Sequence, residues 1–170
     1  KNIYKLEPGT WMRVTKDGHM MRKRYWDFKF DASDEPLEHY LEQITDSLKE
    51  SVRVHKIADV PVGAFLSGGI DSSFITALFK PENTFSVGFG DYEGIFNETD
   101  LARRLSEILG FNHHVRLIGA EDFFGALPTI QYHLDEPQSN LSTVPLYFLA
   151  QLASEHVTVV LSGEGADELF

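Results

Sequence analysis

The sequence contains no cysteine, so it offers no disulfide framework, no cysteine nucleophile and no thiolate metal ligand. Basic residues are also scarce, with 15 Lys and Arg against 26 Asp and Glu and a net charge of -11. Nucleic-acid surfaces need clustered cations, so this balance argues against a nucleic-acid partner. No apolar run is long enough to span a bilayer, and the first residues do not form an apolar signal segment. We therefore expect a cytoplasmic protein without a membrane or nucleic-acid partner.

The two ends of the chain indicate a fragment. It begins at Lys1 without a methionine and ends with Glu168-Leu169-Phe170, inside what reads as a motif. Its 170 residues still suffice for one domain with a sizeable core. We expect a piece of a longer protein, cut at both ends.

Residues 1–30 predict a β-hairpin, because two strand-like segments flank the turn sequence Lys16-Asp17-Gly18. A polar linker follows. Apolar residues then recur every three or four positions from Leu37 to about Ile57, which predicts one long amphipathic helix.

Beyond Asp59 the sequence alternates between short apolar strands and helices. This alternation predicts parallel βαβ units and a doubly wound α/β sheet. The predicted strands are 62–66, 84–89, 113–117 and 157–161, and the predicted helices are 70–79, 97–109, 121–133 and 144–156.

The first loop whose residues are suited to ligand binding runs from Leu66 to Ser73 and joins a strand to a helix. Its paired glycines, Gly68 and Gly69, allow close backbone approach, and the amides at a helix N-terminus favour an anion. The loop therefore predicts a phosphate cradle, although it is not a Walker A sequence. Asp71 would repel a bare phosphate, so it either holds a Mg²⁺ ion or merely complements the helix dipole.

The second loop, Ser162 to Glu168, follows the last predicted strand and carries Glu164, Asp167 and Glu168. Ligands of doubly wound sheets bind at the carboxyl ends of the strands, where both loops are expected. Asp167 is a candidate to complete a Mg²⁺ site with Asp71. The alternative is a solvated acidic turn. His113, His114 and His133 are candidate metal ligands in principle, but no cysteine or carboxylate pair accompanies them, so we interpret them as surface or strand-end packing residues.

Ser67-Gly68-Gly69-Ile70-Asp71-Ser72 resembles the Ser-Gly-Gly-x-Asp-Ser motif of the PP-loop ATP pyrophosphatases. The wider sequence resembles the synthase domain of glutamine-hydrolysing asparagine synthetases. That wider resemblance is carried by Asp59 to Leu66, Phe85 to Phe89, Phe96-Asn97-Glu98, Leu134 to Pro137 and Leu161 to Phe170, with Tyr25-Trp26 similar to the connector after a glutaminase domain.

This resemblance implies an adenine nucleotide α-hydrolase-like fold and a ligase that uses ATP and Mg²⁺. Aspartate would be activated as β-aspartyl-AMP, with release of pyrophosphate, and ammonia from glutamine would then give asparagine. Residues 1–30 would be the connector from a missing N-terminal glutaminase domain, and residues 31–170 the front part of the synthase domain. Without that glutaminase and the later synthase helices, we expect the chain alone to be inactive. The oligomeric state stays open, a homodimer included.

The resemblance also assigns roles to individual residues. The loop from Ser67 to Ser72 would hold the pyrophosphate part of ATP, while Asp71 and Asp167 would bind Mg²⁺. Leu66 and Val87 would meet adenine through backbone groups, and Ser162 and Gly163 would touch the ribose and the α-phosphate. Glu164 would act in forming and using the adenylate.

Two alternatives remain. A β-lactam synthetase or another amidotransferase ligase would share this activation chemistry but take a different carboxylate. A nucleotide-binding module without turnover would share the site but not the reaction.

Overall fold

The computed structural model describes residues 2–30, 33–90, 98–166 and 168. They form two compact units, Lys1–Tyr40 and Leu41–Phe170. The division falls inside the helix α1 (Leu37–His55). The predicted boundary after residue 30 therefore stays a prediction. Within the part of the chain that the structure describes, no helix is both long and apolar enough to cross a membrane.

The first unit contains the predicted hairpin. Its strands, β1 (Thr10–Val14) and β2 (Met20–Arg24), pair antiparallel. In the connection, the amide of Gly18 donates to the carbonyl of Thr15 at 3.0 Å, and Gly18 adopts a φ of +82°. Glycine favours this left-handed conformation because it has no Cβ, so the hairpin prediction is confirmed together with its turn.

The second unit alternates strand and helix as the sequence predicts, with predicted and observed ends differing by at most two residues wherever both are described. Its elements are β3 (Val62–Phe65), α2 (Ile70–Phe79), β4 (Asn83–Phe89), α3 (Thr99–Leu109), β5 (Asn112–Ile118), α4 (Ala120–Leu134), α5 (Thr143–Ser154) and β6 (Val159–Leu161). Residues 91–97, which include the predicted start of α3 at Asn97, lie outside the described ranges.

The four strands of this unit form a parallel sheet in the order β5-β4-β3-β6. The chain therefore adds β4 and then β5 on one side of β3, and later adds β6 on the other side of β3. Val62 pairs with Val159 and Ala64 with Leu161, so β3 and β6 end next to each other. Their carboxyl ends define the point where the order reverses, which is where doubly wound sheets bind ligands.

The residues of β4 alternate between the two faces of the sheet. Phe85 is fully buried and packs with Ala153 at the end of α5. Thr84 is also fully buried, but it points to the other face, where its hydroxyl lies 3.2 Å from that of Ser106 in α3. The sheet is thus covered on both sides, as a parallel sheet requires.

Candidate functional site

A cavity of about 680 Å³ opens at the carboxyl ends of the strands in the second unit. Nine of the residues to which the sequence resemblance gives a role line it: Leu66, Ser67, Gly69, Asp71, Ser72, Val87, Ser162, Gly163 and Glu164. Gly68 lies in the same loop but does not line the cavity, and Asp167 lies outside the described residues. The topology therefore brings both loops to one place.

The first loop is held in shape by its own hydroxyl groups. The amide of Ser67 donates to Oγ of Ser72 at 3.2 Å, and the amide of Gly69 donates to Oγ of Ser67 at 3.2 Å. The two hydroxyl oxygens lie 2.9 Å apart. Amides and hydroxyls thus converge at the start of α2, where the first helical N–H groups have no intrahelical acceptor. This arrangement supplies hydrogen-bond donors for an anion.

Gly68 lets this loop pack against α3. Its φ is +90°, and a Cβ atom there would lie 2.8 Å from the carbonyl oxygen of Glu98 and 2.9 Å from Cβ of Leu101. No larger residue fits between the loop and the first turn of α3. Gly68 therefore allows the loop to lie against α3, and its expected contact with a nucleotide stays a prediction.

The second loop touches the first through its backbone. A Cβ atom on Gly163 would lie 2.8 Å from the amide nitrogen of Ser72 and 3.0 Å from the carbonyl carbon of Asp71. The amide of Glu164 donates to Oγ of Ser162 at 2.9 Å, which fixes the turn after β6. This contact places Asp71 and Glu164 on the same cavity.

The end of β4 forms a third side of the cavity, beside the two loops. Pairing of β3 with β4 ends at Phe65 and Phe85, after which the amide of Leu66 donates to the carbonyl of Phe85 at 2.9 Å. Backbone groups along a strand alternate sides, so Val87 directs its N–H and C=O to the same side as Phe85. β3 has already ended there, so this backbone edge faces the cavity.

Sequence reasoning missed the wall formed by the start of α5. It consists of Asn140, Ser142, Thr143, Leu146 and Leu149. No motif marks these residues. The only available signal was topological, because a helix that precedes a parallel strand begins at the carboxyl edge of the sheet. Ser86, a buried residue of β4, was missed as well.

Three acidic residues line the cavity: Asp71, Glu164 and Glu168. Among the residues whose positions are described, no group of three or more His, Asp or Glu side chains is arranged to hold a metal ion. The residue types nevertheless fit Mg²⁺, since acidic and hydroxyl-bearing residues line the cavity and no histidine is among the described residues that line it. The proposed ligand Asp167 lies outside the described ranges, so the paired metal site stays a prediction.

A doubly wound parallel sheet with a Ser-Gly-Gly-x-Asp-Ser loop at its switch point defines a nucleotide-binding α/β domain of the adenine nucleotide α-hydrolase-like fold. The profile of the asparagine synthase family matches residues 43–170, and the chain belongs to that family.

Related proteins agree with this family assignment. The chain is 42% identical to asparagine synthetase [glutamine-hydrolyzing] 1 of Bacillus subtilis, with 99% of the chain aligned. It is 44% identical to a putative asparagine synthetase [glutamine-hydrolyzing] of Mycobacterium tuberculosis, with all of the chain aligned. In both cases the alignment spans 27% of the relative. The chain thus corresponds to about a quarter of these proteins.

Among solved structures, the chain is similar in fold to a glutamine-dependent NAD+ synthetase from Acinetobacter baumannii, which was determined in complex with ADP. The TM-score is 0.50 at 19% sequence identity, with 93% of this chain and 30% of that one covered. At this level of identity the similarity concerns the fold alone.

Proposed function

We propose that this chain is the ATP-binding part of a glutamine-dependent asparagine synthetase. Aspartate attacks the α-phosphorus of ATP to give β-aspartyl-AMP and pyrophosphate, and ammonia then displaces AMP to give asparagine. The observation that carries the proposal is the backbone contact between the loops of Ser72 and Gly163, which surrounds one cavity with both signature sequences.

The pyrophosphate end of ATP belongs at the first loop. The amides of Ser67 and Gly69 and the hydroxyls of Ser67 and Ser72 already meet there through hydrogen bonds of 2.9–3.2 Å. Phosphate oxygens would replace the hydroxyl oxygens as acceptors for these amides. The helix dipole of α2 adds partial positive charge at the same place.

The adenine base belongs against β3 and β4. An exposed N–H and C=O of one residue, Val87, complement the N1 acceptor and the amino donor of adenine. Leu66 lies alongside, with its amide already bonded to Phe85. Its carbonyl keeps one lone pair for the base, because the hydroxyl of Ser86 occupies the other.

Asp71 and Asp167 would hold Mg²⁺ as its protein ligands. When bound, the ion neutralises phosphate charge that the carboxylate of Asp71 would otherwise repel. Among the residues that line the cavity, Asp71 is suited to this role by its position in the first turn of α2, beside the phosphate loop.

Glu164 would lie near the aspartyl carbonyl carbon and the α-phosphorus of ATP, the two atoms that react. It follows Ser162 and Gly163, which would border the ribose and α-phosphate, and its carboxylate lines the cavity. An ammonium ion must lose a proton before its nitrogen can attack the aspartyl carbonyl. A carboxylate within hydrogen-bond reach can accept that proton as a general base.

The test is release of pyrophosphate and AMP by the full-length protein with Mg-ATP and ammonia. Aspartate should support turnover, whereas glutamate and β-amino acids should not. Turnover with another carboxylate alone would indicate a different amidotransferase ligase. Nucleotide binding without AMP release would indicate a module that binds but does not react.

Asp71→Asn should lower Mg-dependent ATP affinity at least tenfold, because the amide cannot supply the anionic ligand that Mg²⁺ prefers. Titration calorimetry with Mg-ATP measures this change. The matched control is Asp100→Asn, an exposed acid in the first turn of α3 that does not line the cavity. Equal affinity of wild type and Asp71→Asn would contradict the metal role.

A further inference from the structure

Ser86 is a buried polar residue that belongs to neither loop. It lies on β4, is 4% exposed and lines the cavity. Its hydroxyl donates a hydrogen bond to the carbonyl oxygen of Leu66, the residue at which β3 turns into the phosphate loop. Ser86 therefore acts on the loop from outside it.

This hydrogen bond begins where the sheet ladder ends. The last bridge between β3 and β4 joins Phe65 to Phe85, and the amide of Leu66 makes the last backbone bond, to Phe85. The carbonyl of Leu66 lies beyond the ladder. The Ser86 side chain supplies the bond that a backbone partner would otherwise give.

The carbonyl of Leu66 and the amide of Ser67 belong to one peptide unit. A trans peptide is planar, and its C=O and N–H point in opposite directions. Ser86 binds the oxygen of this unit, and Oγ of Ser72 accepts from its N–H at 3.2 Å. The first peptide of the phosphate loop is thus held at both ends.

We propose that Ser86 is a positioning residue that keeps the N–H of the Leu66–Ser67 peptide, and not its C=O, turned toward the phosphate end of the nucleotide. The inference rests on the proposed function, since it assumes that the loop binds pyrophosphate. Without the hydroxyl, rotation about the bonds flanking this peptide can turn its carbonyl toward the anion. One hydrogen-bond donor is then replaced by a repelling dipole.

Thr84 provides a matched control. It lies two residues earlier on the same face of β4, is also fully buried, and does not line the cavity. Its hydroxyl lies 3.2 Å from that of Ser106 and 2.9 Å from Nδ1 of His113. Thr84→Val therefore removes a buried hydroxyl from the same strand without touching the loop.

The experiment compares Ser86→Ala, Ser86→Thr and Thr84→Val with wild type in the full-length protein. Titration calorimetry measures the affinity of each variant for Mg-ATP, Mg-pyrophosphate and AMP. Ser86→Ala should weaken the binding of ATP and pyrophosphate about three- to tenfold, the effect of one net hydrogen bond. It should weaken the binding of AMP less than that of pyrophosphate, because AMP would meet this peptide only through the carbonyl of Leu66. Ser86→Thr, which keeps the hydroxyl, should restore affinity. Thr84→Val should lower the melting temperature and leave the affinities for all three ligands within about twofold of wild type.

The outcomes separate the inference from the proposed function. Wild type that binds neither ATP nor pyrophosphate overturns both. If wild type binds both ligands, unchanged pyrophosphate affinity in Ser86→Ala overturns the inference alone. An equal loss of affinity for AMP and pyrophosphate overturns the inference too. General damage to the site, and not a change in the Leu66–Ser67 peptide, would then explain the weaker binding.

Discussion

At the scale of single residues, the acids of the cavity are distinguished by the atoms around them. Asp71 lies in the first turn of α2, beside the loop that we propose to bind phosphate, whereas Glu164 lies in the turn after β6, where its amide donates to Ser162. The first position suits a ligand of a metal bound to phosphates. The second lies next to the expected α-phosphate and suits a group that moves a proton.

Glu164→Gln should lower kcat about 100-fold or more, because an amide cannot accept the proton of an ammonium ion. The KM for ATP should change less than threefold if Glu164 acts on the second half-reaction. Steady-state assay of AMP release with ammonia measures both constants. Glu155→Gln, an exposed acid at the end of α5, is the control and should behave as wild type. A normal kcat in Glu164→Gln would remove the proposed base.

At the scale of elements, the site depends on how closely the loop after β6 approaches α2. Gly163 allows this approach because it has no side chain. A Cβ atom 2.8 Å from the amide nitrogen of Ser72 meets backbone that cannot move aside without shifting the helix start. The two loops therefore respond together to a change at this contact.

Gly163→Ala should weaken Mg-ATP binding roughly tenfold, since the loop or the helix must move and overpacking costs about 1–3 kcal/mol. Calorimetry of the full-length protein measures the affinity. Gly125→Ala is a control from α4, where a Cβ atom would meet nothing within 4 Å. That variant should unfold at a higher temperature, because alanine favours a helix, and bind ATP normally. Tight ATP binding by Gly163→Ala would show that the loop contact is dispensable.

At the scale of the whole molecule, the opposite end of the sheet carries histidines that respond to pH. Burial lowers the pKa of His113 to about 4, and the nearby positive charges of Arg103 and His114 act in the same direction. Burial, followed by the charge of His156, also lowers the pKa of His114, and the rings of His114 and His156 stack with centroids 3.9 Å apart. The folded sheet therefore favours neutral imidazoles.

Stability should fall as the pH drops from about 6.5 to 4. In that range the unfolded chain binds a proton at His113 that the folded chain does not, so the stability present above pH 6.5 is lost. His113 is only half-buried, so the loss is on the order of 1–2 kcal/mol after solvent screening. Urea unfolding at several pH values measures it.

His113→Gln removes the titrating group and should flatten this pH dependence relative to wild type. The matched control is His133→Gln, on the exposed surface of α4, which should keep the wild-type slope. Identical slopes for His113→Gln and wild type would show that other groups cause the acid sensitivity. The prediction that His113 and His114 are packing residues agrees with their place at the start of β5 and their bonds to Thr84 and Asn83.

Local sequence patterns were enough to predict which segments are helices and strands and to propose which loop binds phosphate. Periodicity and helix-start chemistry act over a few residues, so α2 could be predicted residue for residue from Ile70 to Phe79. The hydrogen bonds within the Ser-Gly-Gly-Ile-Asp-Ser loop are equally local, because they join residues at most five positions apart. The bond from Ser86 to Leu66, at the start of the loop, comes from a distant strand. The family followed from several such segments in a fixed order.

The meeting of distant segments at one cavity follows from the folded chain and could not be predicted from local patterns. No local sequence signal marks Ser86, Asn140 and Thr143. Ser86 lines the cavity because β4 extends beyond the end of β3, and Asn140 and Thr143 line it because α5 begins at the same edge of the sheet. The contact of Gly163 with Ser72 joins residues about ninety positions apart. Strand order and close backbone approach arise from packing of the whole sheet, which no short window of sequence contains.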